Sequence, residues 1–264
     1  MTRLYIVEGL PCSGKSTTAA YAARLLESRG KAVTVIDEGT GEHPADYEFH
    51  AFFNSAFTDC PMSLRSEAKK WAESVPDGWV VPLCHFQEAQ LPKLLPHKIY
   101  DGLSWLREKP VMLEKWRQFA KSAEENRVYL FNCVLLQNPL CETMMRFDLP
   151  EEESLAHIAE IAQIIAPLEP AVIYLKNEDV AQRIQATAGE RPGWLEGFTE
   201  YHVNGAYGKR IHAQGFGGLV SCLAERQRRE LSILEQLPVK RLVLSNAHRD
   251  WDDAYQQIAD FIEG

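Results

Sequence analysis

Gly9, Gly14, Lys15 and Ser16 stand at the spacing GxxxxGK[ST], in the run Gly9-Leu-Pro-Cys12-Ser13-Gly14-Lys15-Ser16-Thr17. Each residue type suits the cradling of a polyphosphate. The glycines permit a tight turn and positive φ angles. The N–H groups of Cys12, Ser13 and the residues through Thr17, with the helix N-terminus that follows, can point at an anion. Lys15 adds a point charge on β- and γ-phosphates, and the Ser16 hydroxyl can ligate Mg²⁺. The pattern points to a nucleoside triphosphate, with ATP and Mg²⁺ as the expected cofactors.

Such a loop works only between a strand and a helix. Leu4-Tyr-Ile-Val7 reads as a buried strand, Ser16 to Arg29 as a helix stopped by Gly30, and Ala32-Val-Thr-Val-Ile36 as a second strand. Strand, loop, helix, strand is a βαβ unit, which implies a parallel sheet. The pattern resumes with strands at Val128–Phe131, Ala171–Leu175 and Arg241–Leu244. Helices are expected at 150–166, 179–187, 219–237 and 252–262. The loop Gln137-Asn138-Pro139 follows a strand end, where open α/β sheets bind ligands. Residues 39–127 read as a mostly helical insert on the substrate side. Trp105, Trp116 and Phe119 read as its core packing, and His43, Asp46, His50 and His85 as packing or surface residues. Residues 188–218 are rich in glycine and charge, without clear period.

The run Val7-Glu8-Gly9 through Thr17, with an acid before the first glycine, resembles the P-loop kinases of small molecules, near the nucleoside-monophosphate and thymidylate kinase group. Ala171-Val-Ile-Tyr-Leu175 followed by Val180-Ala-Gln-Arg183-Ile184 resembles the strand and arginine-bearing helix that precede a mobile lid in that group. The resemblance implies a single three-layer α/β/α P-loop NTPase domain, residues 1–264, with a parallel sheet, a helical insert at 39–127 and a lid at 188–218. It implies that Arg183 and Arg191 act on the transferring phosphoryl group and that Lys209 and Arg210 are lid cations on the nucleotide. The strand Val128–Phe131 ends in Asn132, where many P-loop proteins carry a metal-linked acid. Asp37 or Glu38, at the end of a strand expected to neighbour the first, is the candidate acid. A carboxylate there can orient or deprotonate an acceptor hydroxyl.

The 264 residues carry a net charge of −9, which argues against nucleic acid as a partner. Six cysteines without a CxxC pair read as reduced thiols of a cytoplasmic protein. No apolar run has the length of a membrane span. Arg226, Arg228 and Arg229 read as the exposed face of a helix. The expected activity is ATP-dependent phosphorylation of a small-molecule acceptor: a nucleoside, nucleotide or sugar. The alternatives are a nucleotide-hydrolysing regulatory protein without such an acceptor, and a sugar-nucleotide kinase toxin.

Overall fold

A computed structural model of the chain describes residues 2–39, 41, 43–190 and 193–264. In chain order its elements are β1 (Leu4–Gly9), α1 (Lys15–Ser28), β2 (Ala32–Ile36), β3 (His50–Asn54), α2 (Arg65–Trp71), β4 (Glu73–Val75), β5 (Gly78–Pro82), α3 (Leu91–Leu94), α4 (Trp105–Ser122), β6 (Arg127–Asn132), α5 (Gln137–Leu140), α6 (Glu151–Ile165), β7 (Ala171–Lys176), α7 (Val180–Glu190), α8 (Trp194–Val203), α9 (Ala206–Arg210), α10 (Gly215–Gln236), β8 (Lys240–Ser245) and α11 (Trp251–Glu263). They divide into two compact units, Met1–Glu38 with Ala123–Gly264, and Gly39–Ser122.

The first unit is α/β. Its five strands are parallel and lie in the order β2-β6-β1-β7-β8, flanked by helices. β1, β6 and β7 are short apolar runs buried on both faces, as central parallel strands require. β2 and β8 are edge strands with exposed positions. On one face, Tyr5, Val7, Leu130, Ile173 and Leu244 pack with Ala19, Ala22 and Leu26 of α1 and with Ala254 and Ile258 of α11. Alternation turns Ile6, Glu8 and Tyr174 to the other face.

One expectation is corrected here: β2 does not neighbour β1, because β6 inserts between them. The crossovers from β1 and from β6 therefore leave in opposite directions. That opens a crevice outside the C-terminal ends of these two adjacent strands. The loop after β1, the pair Asp37–Glu38 after β2 and the segment after β6 all start at that edge.

The second unit carries the helices α2, α3 and α4, as the sequence had suggested, but is not helical throughout. It holds an antiparallel sheet in the order β3-β5-β4. Ala51, Phe53 and Val81 face a cluster with Phe57, Leu64 and Leu94, while Phe52, Val75 and Val80 face Tyr47, Ile99, Leu103 and Val111. A sheet covered on both faces loses the apolar–polar alternation that marks a half-exposed strand. Trp116 and Phe119 are buried, and Trp105 packs on the second cluster.

The segment 188–218 also departs from expectation, because α8 and α9 occupy much of it. Trp194 stacks on Phe198, which meets His202 edge-on, at four-residue spacing along α8, which supplies a helical period in aromatic side chains. No described helix is long and apolar enough to cross a membrane.

Candidate functional site

β1 delivers the chain to Gly9, at φ 143°, and the turn continues through Cys12 at 69° and Gly14 at 99°. Gly9 is required by space as well as conformation: a Cβ there would lie 2.6 Å from the Leu175 carbonyl oxygen of β7. The Ser13 N–H donates to the Leu10 carbonyl (3.3 Å), and the Thr18 N–H closes the first turn of α1 on the Gly14 carbonyl (3.0 Å). The N–H groups of the first helical residues have no partner within the helix, so the N-terminus of α1 is turned into the loop.

Lys15 is buried. Its Nζ donates to the carbonyls of Gly9 (3.1 Å) and Leu10 (3.3 Å) and to Gln137 Oε1 (3.2 Å). All three acceptors are neutral, and among the described residues Lys15 makes no ion pair. The Glu8 carboxyl feels the Lys15 charge without a direct contact between the two.

Asn132, at the end of β6, reaches Ser16 Oγ (3.0 Å) and Asp37 Oδ1 (3.3 Å) with Nδ2. Its own Oδ1 is buried and has no hydrogen-bond partner among the described residues. Gln137 Nε2 donates to Glu38 Oε1 (2.9 Å). The two neighbouring acids are thus divided, Asp37 toward Ser16 and Glu38 toward Gln137 and Lys15. Ser16 Oγ and Asp37 Oδ1 thus share the Asn132 amide nitrogen, which brings a hydroxyl and a carboxylate oxygen, both of the kind a hard cation takes, to one place. Among the described residues no group of three or more His, Cys, Asp or Glu is arranged to hold a metal.

Arg183, on α7, holds the loop from outside. Its Nε and Nη2 donate to the Cys12 carbonyl at 3.2 and 2.6 Å. Ser13 Oγ is buried without a hydrogen-bond partner among the described residues, and Thr17 is exposed. The structure therefore gathers residues 9–17, Asp37, Glu38, Asn132, Gln137 and Arg183. It does not bring Lys209 or Arg210 to them among the described residues. Lys209 is exposed, and Arg210 pairs with Asp148 and covers the Tyr207 ring. Arg210 is thus engaged by Asp148 beside α9. Arg191 lies outside the described residues.

Glu8 was not among the residues expected at the site. It is fully buried, and its carboxylate accepts from the N–H groups of Leu135 (2.7 Å), Leu136 (2.8 Å) and Gln137 (3.3 Å). These bonds turn the expected loop Gln137-Asn138-Pro139 into the helical turn α5. Burial pushes the Glu8 carboxyl up to about 7, helped by the nearby Glu230 and opposed by the Leu136 N–H and Lys15. The available signal was a lone acid inside an apolar strand.

The reading of Arg226 and Arg229 as an exposed face is also corrected. Both are buried. Arg226 lies 3.0 Å from Glu230 Oε1 and donates to Cys141 Sγ (3.2 Å), while the Tyr174 hydroxyl donates to Glu230 Oε2 (2.5 Å). Arg228 pairs with Glu225 and Glu151. Arg228 is exposed, as the sequence suggested, on a solvated stripe with Gly217, Ser221 and Ala224, while i,i+4 pairing lets Arg226 and Glu230 enter the buried side together. In the second unit, His43, Asp46 and His50 are buried and His85 stacks on Trp71.

No family model matches the chain, and no curated protein matches it. Among the solved structures similar to it is the YorR protein of Bacillus subtilis, in complex with phosphorylated GDP. The two are 14% identical, with a TM-score of 0.43 over 98% of this chain and 95% of that one. A likeness at that level carries no argument about fold or function.

Proposed function

We propose that the chain is a P-loop phosphotransferase that binds Mg·ATP at residues 9–17 and phosphorylates a small-molecule acceptor. The observation that carries this reading is Lys15: a buried ammonium that meets only neutral oxygens, at the mouth of a glycine turn and beside a helix N-terminus. A polyphosphate would supply the missing counter-charge and accept from the loop N–H groups. Ser16 and Asp37, with Asn132 beside them, would hold Mg²⁺, which would neutralise charge on the phosphates.

Glu38 is the residue to receive the acceptor's proton. It stands across the Gln137 amide from Lys15, so an acceptor hydroxyl bound to it would lie on the phosphate side of the crevice. The acceptor oxygen would attack the γ-phosphorus as the bond to the β–γ bridging oxygen breaks, and the hydroxyl proton would pass to the Glu38 carboxylate. Arg183 fixes the loop through the Cys12 carbonyl and would act on the transferring phosphoryl group through that hold.

The test is a screen of nucleosides, nucleotides and sugars with γ-labelled ATP and Mg²⁺. The proposal expects label on one acceptor class, and none with Lys15→Ala. Binding of ATP without transfer to any acceptor, and with release of labelled phosphate alone, would replace the kinase reading by a hydrolase.

A further inference from the structure

Glu8 and Gln137 are not used as partners of any substrate in the reading above, yet they occupy its centre. Glu8 follows Val7 in β1 and pairs in register with Tyr174 of β7. It forms no ion pair with any of the described residues. Its oxygens are taken instead by three successive backbone N–H groups, those of 135, 136 and 137. The two residues before that row are Cys133 at φ 60° and Val134 at φ 102°. A β-branched residue at such an angle is strained and persists only where its surroundings hold it. The convergence of three donors on one buried carboxylate is the restraint the structure offers.

The end of this turn is Gln137, itself buried. Its amide is keyed in one orientation. Oε1 accepts from Lys15 Nζ, and Nε2 donates to Glu38 Oε1 and toward Cys133 Sγ at 3.6 Å. Gln137 is thus a spacer between the lysine and the carboxylate, and its backbone N–H is one of the three that Glu8 holds.

We infer that Glu8 is a positioning residue: it holds the strained Cys133–Val134 turn so that the Gln137 amide sets the spacing between Lys15 and Glu38. The inference about the turn stands on geometry alone. Its effect on turnover rests on the phosphotransferase reading.

The experiment uses the full chain and Glu8→Gln, which keeps the side chain's shape. A glutamine oxygen can still accept, but its NH₂ then confronts an N–H donor. Amide hydrogen exchange across residues 133–137 should accelerate by at least about tenfold, while β7 and α10 keep their protection. Calorimetry with a non-hydrolysable ATP analogue and Mg²⁺ should give an affinity within about threefold of wild type, since no loop contact is removed. Mg·ATP hydrolysis, with water as acceptor, should fall about 10- to 100-fold, the usual loss when a supporting partner is removed. Gln137→Ala should lower hydrolysis similarly and leave the amides of 135 and 136 protected. Val134→Gly, which carries no penalty at positive φ, should restore protection in the Glu8→Gln background and serves where Glu8→Gln alone does not fold. Unchanged exchange at 133–137 in Glu8→Gln overturns the inference, as does failure of both Glu8→Gln and the Val134→Gly combination to fold. Absence of Mg·ATP binding by the wild type overturns the phosphotransferase reading and leaves the exchange result to decide the turn.

Discussion

A methyl group added at Gly14 meets two separable obstacles. The residue sits at φ 99°, where an L side chain costs about 1–2 kcal/mol. An ideal Cβ would also lie 2.6 Å from Trp251 Cη2 and 2.9 Å from Cζ2. The indole is not free to retreat, because it stacks on Tyr255 (5.5 Å), which stacks on Tyr21 of α1 (4.0 Å). Forcing an extra methyl into such a contact costs about 1–3 kcal/mol. Gly14→Ala should therefore destabilise the chain by about 2–5 kcal/mol, measured by urea unfolding. Trp251→Ala removes only the steric part, so the double variant should be less damaged than the sum of the singles by about 1–3 kcal/mol. The backbone part should persist. Strictly additive losses would refute the claim that the indole closes over the loop.

Further outcomes follow from the same structure. The Glu8 carboxyl, pushed up to about 7 by burial and Glu230 from an ordinary 4.5, favours its neutral form in the fold. Its contribution to stability is full below about 4.5 and is lost as pH rises through about 7, a change of about 3 kcal/mol. The difference between wild-type and Glu8→Gln urea curves should shift by that order between pH 5 and 8. A pH-independent difference would remove Glu8 from the titration. Glu38→Gln should lower turnover of an identified acceptor by about 10²–10⁴-fold with ATP affinity kept, whereas Asp37→Asn should chiefly raise the Mg²⁺ concentration needed. Steady-state titrations of metal and acceptor separate the two. Arg226→Ala leaves Glu230 buried without its charge partner and should cost about 3–5 kcal/mol by urea unfolding. A loss below about 1 kcal/mol would mean that Tyr174 alone satisfies Glu230.

The five parallel strands were readable because each is a short apolar run between turn signals, and the loop after β1 because its residue types have few other uses. The sheet order was not readable. No local pattern says that β6 enters between β1 and β2, so Asp37 and Glu38 were assigned to the wrong neighbour, although they do follow the end of β2. The strands of the second unit were hidden by burial on both faces: His50–Asn54 and Gly78–Pro82 show no alternation. Gln137 was noticed for its position after a strand, but the force that shapes its turn comes from Glu8, more than a hundred residues earlier. Lys209 and Arg210 looked like cations awaiting a phosphate because sequence shows charge without showing partners, and Asp148 already engages Arg210. Arg226 misled for the same reason.

The central claim is that the Gly9–Thr17 loop completes itself with the phosphates of a nucleotide at Lys15. Isothermal calorimetry of the wild-type chain and Lys15→Ala with a non-hydrolysable ATP analogue and Mg²⁺ tests it directly, with circular dichroism to verify that both are folded. The account predicts one-to-one binding by the wild type and at least about 30-fold weaker binding by the variant, which corresponds to about 2 kcal/mol for a lost buried charge contact. Equal affinity of the two folded proteins, or no binding by either, would contradict it.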